Sequence, residues 1–281
     1  MIIDSETNIV YFSEILLTNW EFANTCKRIT DILDEHHIKY AFLKATKDIW
    51  ARDYMPIQKG VKDFVQFRYE PSYLKDELEK QSDPKEVCKA NKIHFTYSNI
   101  NLDGGNVVKW HDKVMITERI KTENPERNNF LDLKKEIENI LDAEVIIIPQ
   151  IKSDFTGHAD GLVRFYNDKT IIGNDRKVEY KYWVKGIKKV LVKHEFDYVD
   201  MPFFEYTYKG YPDSAVGCYM NWLEIGNLII FPIFEVEGNK DKKAVELIES
   251  LYPAKNIEPI NINEIAKYGG LMNCLTWNIK L

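Results

Sequence analysis

Residues His158–Met201 read HADGLVRFYNDKTIIGNDRKVEYKYWVKGIKKVLVKHEFDYVDM. His158–Gly173 is predicted as strand, tight turn at Asn167-Asp168, and strand, because runs of β-branched and aromatic residues flank a polar pair. Val178–His194 places apolar residues at helical intervals among lysines, which predicts an amphipathic helix. Phe196–Met201 supplies a third short strand. The order is strand, strand, helix, strand.

The same order recurs outward from this stretch. Asp53–Tyr69 turns at Lys59-Gly60, Gly105–Thr117 at His111-Asp112, and Tyr219–Phe234 at Gly226-Asn227. Helical segments are predicted after them at Ser72–Ala90, Arg127–Ala143 and Lys240–Leu251, then short strands at Ile93–Tyr97, Val145–Pro149 and Asn256–Ile260. The turns repeat every 55 residues or so, a period of about 55 that fits the chain roughly five times. The ends supply the fifth unit: a helix at Thr18–His37, a strand at Tyr40–Lys44, and a C-terminal strand at Leu271–Lys280, which Asn8–Phe12 can join to close a ring. The expected fold class is α/β, five ββαβ units around a pseudo-fivefold axis in one domain spanning 1–281. The alternative is an ordinary mixed sheet with coincidental spacing.

Composition narrows the function. The 281 residues include 38 Lys and Arg against 44 Asp and Glu, a net charge of −6. No basic tract is present, which argues against a nucleic-acid partner or an anionic membrane surface. No run of eighteen apolar residues could span a bilayer. The N-terminal Met1-Ile-Ile-Asp-Ser-Glu carries acids where a signal peptide needs basic residues, so a cytoplasmic location is expected. Cys26, Cys88, Cys218 and Cys274 are widely spread, as are six histidines, and neither pattern resembles a disulfide framework or a zinc site.

Clusters of reactive residues occupy similar places in their units. Trp50-Ala-Arg52-Asp53 precedes the first hairpin, and Leu102-Asp103-Gly-Gly105-Asn106 opens the second. Gly157-His158-Ala-Asp160-Gly161 opens the third, and Gly269-Gly-Leu-Met-Asn273-Cys274 the fifth. Taken singly, each has an ordinary explanation: a surface carboxylate, a Gly-Gly turn, a polar strand face, a buried thiol. His158 and Asp160, two apart on an expected strand, would face one side. In a closed ring, equivalent places converge on the axis and bring a Cys, a His and three Asp into one cleft.

The order W-x-R-D, [ED]-G-G-N, G-H-x-D-G and G-G-x-x-x-C resembles the agmatine deiminase and bacterial-type peptidylarginine deiminase family, guanidino-modifying enzymes of the pentein fold. The motifs run from Trp50 to Cys274; Arg119–Phe130 and Tyr219–Trp222 also look similar to the family. The resemblance implies Cys274 as nucleophile and His158 as general acid/base. It implies Asp53 and Asp160 as guanidinium ligands, with Asp160 also in the catalytic group, and Asp103 as support for the histidine. Trp50, Arg52, Gly105 and Asn273 complete the expected substrate-contacting set. Asn273 stands where the family usually has His, and Asp103 where it usually has the longer Glu. The loop between the first two motifs is reduced to about Phe67–Ser82.

The chemistry suits those residue types. A guanidinium is planar and charged, and presents its N–H groups as a fork that two carboxylates match with charge-assisted bonds. Its carbon is a poor electrophile, and a thiolate is the strongest side-chain nucleophile near neutral pH. A thiol beside three aspartates is hard to ionise unless His⁺ or the bound cation offsets them. The implied reaction is hydrolytic deimination of a small guanidino compound, agmatine first, with no metal and no organic cofactor. The expected partner is that cationic substrate, and a homodimer is compatible with the chain.

Other readings stay open on the residues. An amidinotransferase or dimethylarginine hydrolase of the same fold would use the same set. A thiol acyl-transfer enzyme could use Cys274, His158 and Asp103, but has no role for Asp53 and Asp160. A non-catalytic guanidine-binding member would keep the carboxylates and leave the thiol unused.

Overall fold

In the computed structural model, which describes residues 1–281, fifteen strands form five separate three-stranded sheets. In four units a hairpin is followed by a helix and a third strand. The first has β3 (Ile57–Gly60), β4 (Asp63–Arg68), helix α2 (Pro84–Ala90) and β5 (Thr96–Asn101). The second has β6 (Val108–Lys109), β7 (Lys113–Thr117), α3 (Phe130–Leu141) and β8 (Glu144–Ile148). The third has β9 (Val163–Phe165), β10 (Thr170–Asn174), α4 (Lys181–His194) and β11 (Asp197–Met201). The fourth has β12 (Leu223–Ile225), β13 (Leu228–Ile233), α5 (Asp241–Leu251) and β14 (Asn256–Asn261). The fifth joins the chain ends: β15 (Trp277–Ile279), β1 (Ile9–Ser13), α1 (Trp20–Glu35) and β2 (Lys39–Leu43).

Each middle strand is antiparallel to the first strand of its sheet and parallel to the third. A parallel partner needs a crossover, and the helix provides it. Ring closure is the antiparallel pairing of β1 with β15, with Val10 opposite Asn278. The fold is the expected pentein arrangement.

The helices pack by periodicity. Trp183, Ile187 and Leu191 lie on one face of α4 and are buried, while the intervening lysines stay outside. Side chains of Asn19, Asp83 and Asn129 accept the N–H two residues on and cap α1, α2 and α3. No helix is long and apolar enough to cross a membrane.

The first strand of every unit carries one polar residue whose side chain is largely buried: Gln58, Lys109, Arg164, Glu224 and Asn278. These join neighbouring units around the axis. Arg164 donates to Trp222 O at 2.9 Å, Asn278 to Glu224 O at 3.0 Å, and Gln58 to Lys280 O at 2.8 Å.

Six expectations are corrected. Ser72–Ala90 is not one helix: it holds a 3₁₀ turn at Ser72–Leu74 and then α2. Pro84 lacks an N–H and sits at the start of α2, so Asp83 ends the loop and begins the helix. The strand expected at Ile93–Tyr97 begins later, at Thr96, and runs to Asn101. Leu271–Lys280 is not all strand: Met272–Leu275 is a helical turn, and only Trp277–Ile279 pairs. His158 and Asp160 do not lie on a strand: β9 starts at Val163, and the motif is irregular backbone leading into it. The same holds for Asp53, which lies in the helical turn Ala51–Tyr54, and for Gly105, in the turn Gly104–Asn106.

Candidate active site

These turns before the inner strands place the reactive side chains. Freed from the ladder, their backbone groups serve as ligands. Asp53 Oδ1 accepts the N–H of Gly105 at 3.1 Å, and Gly105 O accepts the N–H of Asp160 at 3.1 Å. Gly105 therefore ties three units together. A Cβ there would lie 2.4 Å from Asp53 Oδ1 and 2.6 Å from His158 Nδ1, so the close approach requires glycine.

His158 lies between two carboxylates. Its Nε2 is 2.8 Å from Asp103 Oδ2, and its Nδ1 is 3.6 Å from Asp53 Oδ1. All three residues are buried. Burial opposes charge on the ring, but Asp53 and the hydrogen-bonded Asp103 outweigh it and hold the histidine protonated up to about 10. Asp53 is pushed above the ordinary carboxylate range by burial, with Asp103 and Asp160 adding repulsion. The Asp53–His158 pair thus keeps its proton to unusually high pH.

Asp103, shorter than Glu by one methylene, reaches the imidazole directly. The same Oδ2 accepts Tyr73 OH at 3.0 Å, and the Tyr73 ring packs edge-on against His158 and Phe155. Tyr73 sits in the 3₁₀ turn after β4. Ser72 anchors that turn by donating its N–H and Oγ to Glu123 at 3.0 and 2.7 Å, and Arg119 grips the same carboxylate at 2.6 Å. The shortened segment between the first two motifs therefore closes over the histidine.

Cys274 is half-buried, at the helical turn before β15. Its Sγ lies 3.7 Å from Asp160 Oδ2, and its N–H donates to Asn221 Oδ1 at 3.1 Å. Burial pushes the thiol well above its usual range, and Asp160 and Asp53 push it further. A cation between these carboxylates would reverse that bias.

Asn273 does not present a free amide to this pocket. Its Nδ2 donates to Asp160 Oδ2 at 2.8 Å and its Oδ1 accepts from Arg164 Nη2 at 3.2 Å. It aims Asp160. Arg52 likewise stays out of the carboxylate group. Its Nε donates to Asn273 O at 3.3 Å and its Nη2 to Asn278 Oδ1. Trp50 covers Gly270: a Cβ there would meet the indole at 2.3 Å.

The structure therefore gathers Asp53, Asp103, His158, Asp160 and Cys274, with Gly105 as their joint. Arg52 and Asn273 lie behind the group, and Trp50 lies beside the glycine pair that precedes Cys274. No grouping of three or more His, Cys, Asp or Glu is arranged to hold a metal ion. Sequence reasoning missed Tyr73, Asn221 and Arg164. Asn221 lies in the Tyr219–Trp222 stretch, and Arg164 interrupts an apolar strand; Tyr73 carries no local signal.

Residues 7–279 match the model of the Porphyromonas-type peptidyl-arginine deiminase family. A Listeria monocytogenes protein named "Putative agmatine deiminase 2" is 39% identical over 67 residues, 24% of this chain and 18% of its own length. A "Putative agmatine deiminase" of Mycoplasma capricolum is 24% identical over 227 residues, 68% of this chain and 61% of its own. The chain thus spans less than two thirds of either curated relative. The solved C. jejuni agmatine deiminase superposes with a TM-score of 0.79 at 18% identity, over 99% of this chain and 94% of that one.

Proposed function

Because this chain belongs to the Porphyromonas-type peptidyl-arginine deiminase family, we propose that it hydrolyses a small guanidino compound, agmatine, to N-carbamoylputrescine and ammonia. The observation that carries the reading is the convergence of one thiol, one carboxylate-bound histidine and two further carboxylates from separate units. Relatives named as agmatine deiminases support agmatine as the substrate.

The acid-rich pocket binds the guanidinium between Asp53 and Asp160, whose charges match its N–H fork. The bound guanidinium adds a second cation among the carboxylates. It lets Cys274 ionise beside Asp160, the thiol proton leaving to solvent, while His158 keeps the proton it then delivers. Cys274 Sγ attacks the guanidinium carbon, and the tetrahedral adduct expels ammonia as its C–N bond breaks, with the proton delivered by His158. A thiouronium remains on Cys274. His158 then removes a proton from water, hydroxide adds to the same carbon, and the C–S bond breaks to give the ureido product and thiol. Asp103, braced by Tyr73, orients the ring through both halves.

The test is a paired ammonia and ureido-product assay on agmatine, arginine, dimethylarginine and a blocked arginine peptide. Agmatine is expected to turn over fastest, and Cys274→Ser to abolish it. A folded protein silent on all four, or a Cys274→Ser protein with substantial activity, overturns the assignment.

A further inference from the structure

The polar residues on the inner strands enclose a second space. A cavity of about 180 Å³ lies along the axis, behind the partition formed by Asp160 and Asn273. That is well above the ~10–15 Å³ that admits one water, so it has room for a small polar ligand. Four cations line it: Arg52, Lys109, Arg164 and Lys255. They face three carboxylates: Asp4, Glu224 and Asp160. Asp160 is already engaged by Asn273, which also lines the cavity, and lies against Cys274.

The pairing inside is incomplete. Arg164 gives three of its five N–H groups to Trp222 O, Asp4 and Asn273 and keeps two to spare. Lys255 holds Glu224 at 2.7 Å and Gly226 O at 2.8 Å, and keeps one N–H free. The Lys109 side chain is only 8% exposed, yet its ammonium has a single carboxylate partner, Asp4 at 3.5 Å. Burial and the neighbouring Arg52 and Arg164 push its pKa down. A buried ammonium carries three donors and is costly without acceptors. Cations from four different units converge on one space with surplus charge and spare donors. That geometry suits a tetrahedral oxyanion, which accepts from several directions at once.

We propose that the axial cavity binds a small oxyanion of the phosphate type, held by Lys109, Arg164 and Lys255. It is a site separate from the Cys274 pocket, and it does not rest on the activity proposed above. The two communicate through Arg164, because that guanidinium also holds the Asn273 amide that aims Asp160.

Calorimetric titration of the whole protein with sodium phosphate, against sodium chloride at equal ionic strength, tests it. Saturable phosphate binding is expected, unchanged in Cys274→Ser. Lys109→Met should weaken it at least tenfold. Glu224→Gln should tighten it at least threefold, since it removes a competing negative charge and loosens the hold on Lys255. Damage to the fold would not produce tightening, so this variant decides if Lys109→Met fails to fold. Phosphate binding no better than chloride, or Glu224→Gln binding unchanged or weakened, overturns the proposal.

Discussion

Asp53→Asn should lower the pKa of His158 by between one and three units. The Asn side chain is isosteric, and its Oδ1 can still accept the Gly105 N–H, so the turn is preserved. Only the charge 3.6 Å from His158 Nδ1 is lost. Two unit charges at that distance interact by roughly 4–5 kcal/mol at an effective dielectric of ~20, and about 1 kcal/mol at ~80. Those limits convert to about three units and just under one. With His158 and Asp53 both buried, the larger end applies. Asp103 remains at 2.8 Å, so the ring should still titrate above a free imidazole. The assay is a pH titration of the His158 ring proton by NMR, with the other five histidines assigned by substitution. Stability should follow. The folded pKa is raised to about 10 from the ordinary 6.5, so protonation stabilises the fold fully below 6.5. That stabilisation is lost as pH rises through 10. In Asp53→Asn the loss should finish at lower pH and be smaller, measured by urea unfolding between pH 6 and 10.5. A His158 pKa within half a unit of wild type would show that the Asp53 carboxylate is not the partner that holds the proton, and would refute the charge assignment.

Three further outcomes follow from the same geometry. Chloroacetamidine, a cationic guanidine mimic, should alkylate Cys274 at least tenfold faster than neutral chloroacetamide, with both rates normalised to a small free thiol; equal normalised rates would mean that the carboxylates do not control the thiol. Tyr73→Phe removes a hydrogen bond to a charged acceptor, worth about 1.5–3 kcal/mol. It leaves Asp103 Oδ2 to the imidazole alone, so the acid limb of the kcat–pH profile should move alkaline while KM changes little; an unmoved limb would reduce Tyr73 to packing. Gly270→Ala should destabilise the fold by about 1–3 kcal/mol in denaturant titration, because a Cβ 2.3 Å from the Trp50 ring forces a rigid indole to shift; wild-type stability would show that the indole moves freely.

Repeat number, unit order and ring closure were legible in the sequence because hydrophobic period and turn chemistry are local properties, set by neighbours a few residues apart. The motif residues Asp53, Asp103, His158, Asp160 and Cys274 were legible through resemblance, and they fall at equivalent places in the repeat. Element edges were not. Pro84 divided a helix whose apolar pattern runs across it, and the motif residues lie in turns before the strands because their backbone groups bond across units instead of along a ladder. Tertiary structure alone decided what each polar residue does. Tyr73 reaches Asp103 from thirty residues away, Arg164 meets Asn273 across more than a hundred, and Arg52 turns to Asn278 instead of the carboxylate pocket. Charge state belongs to the same category. A carboxylate, an imidazole or a thiol takes its proton affinity from burial and from neighbours that only the closed ring supplies.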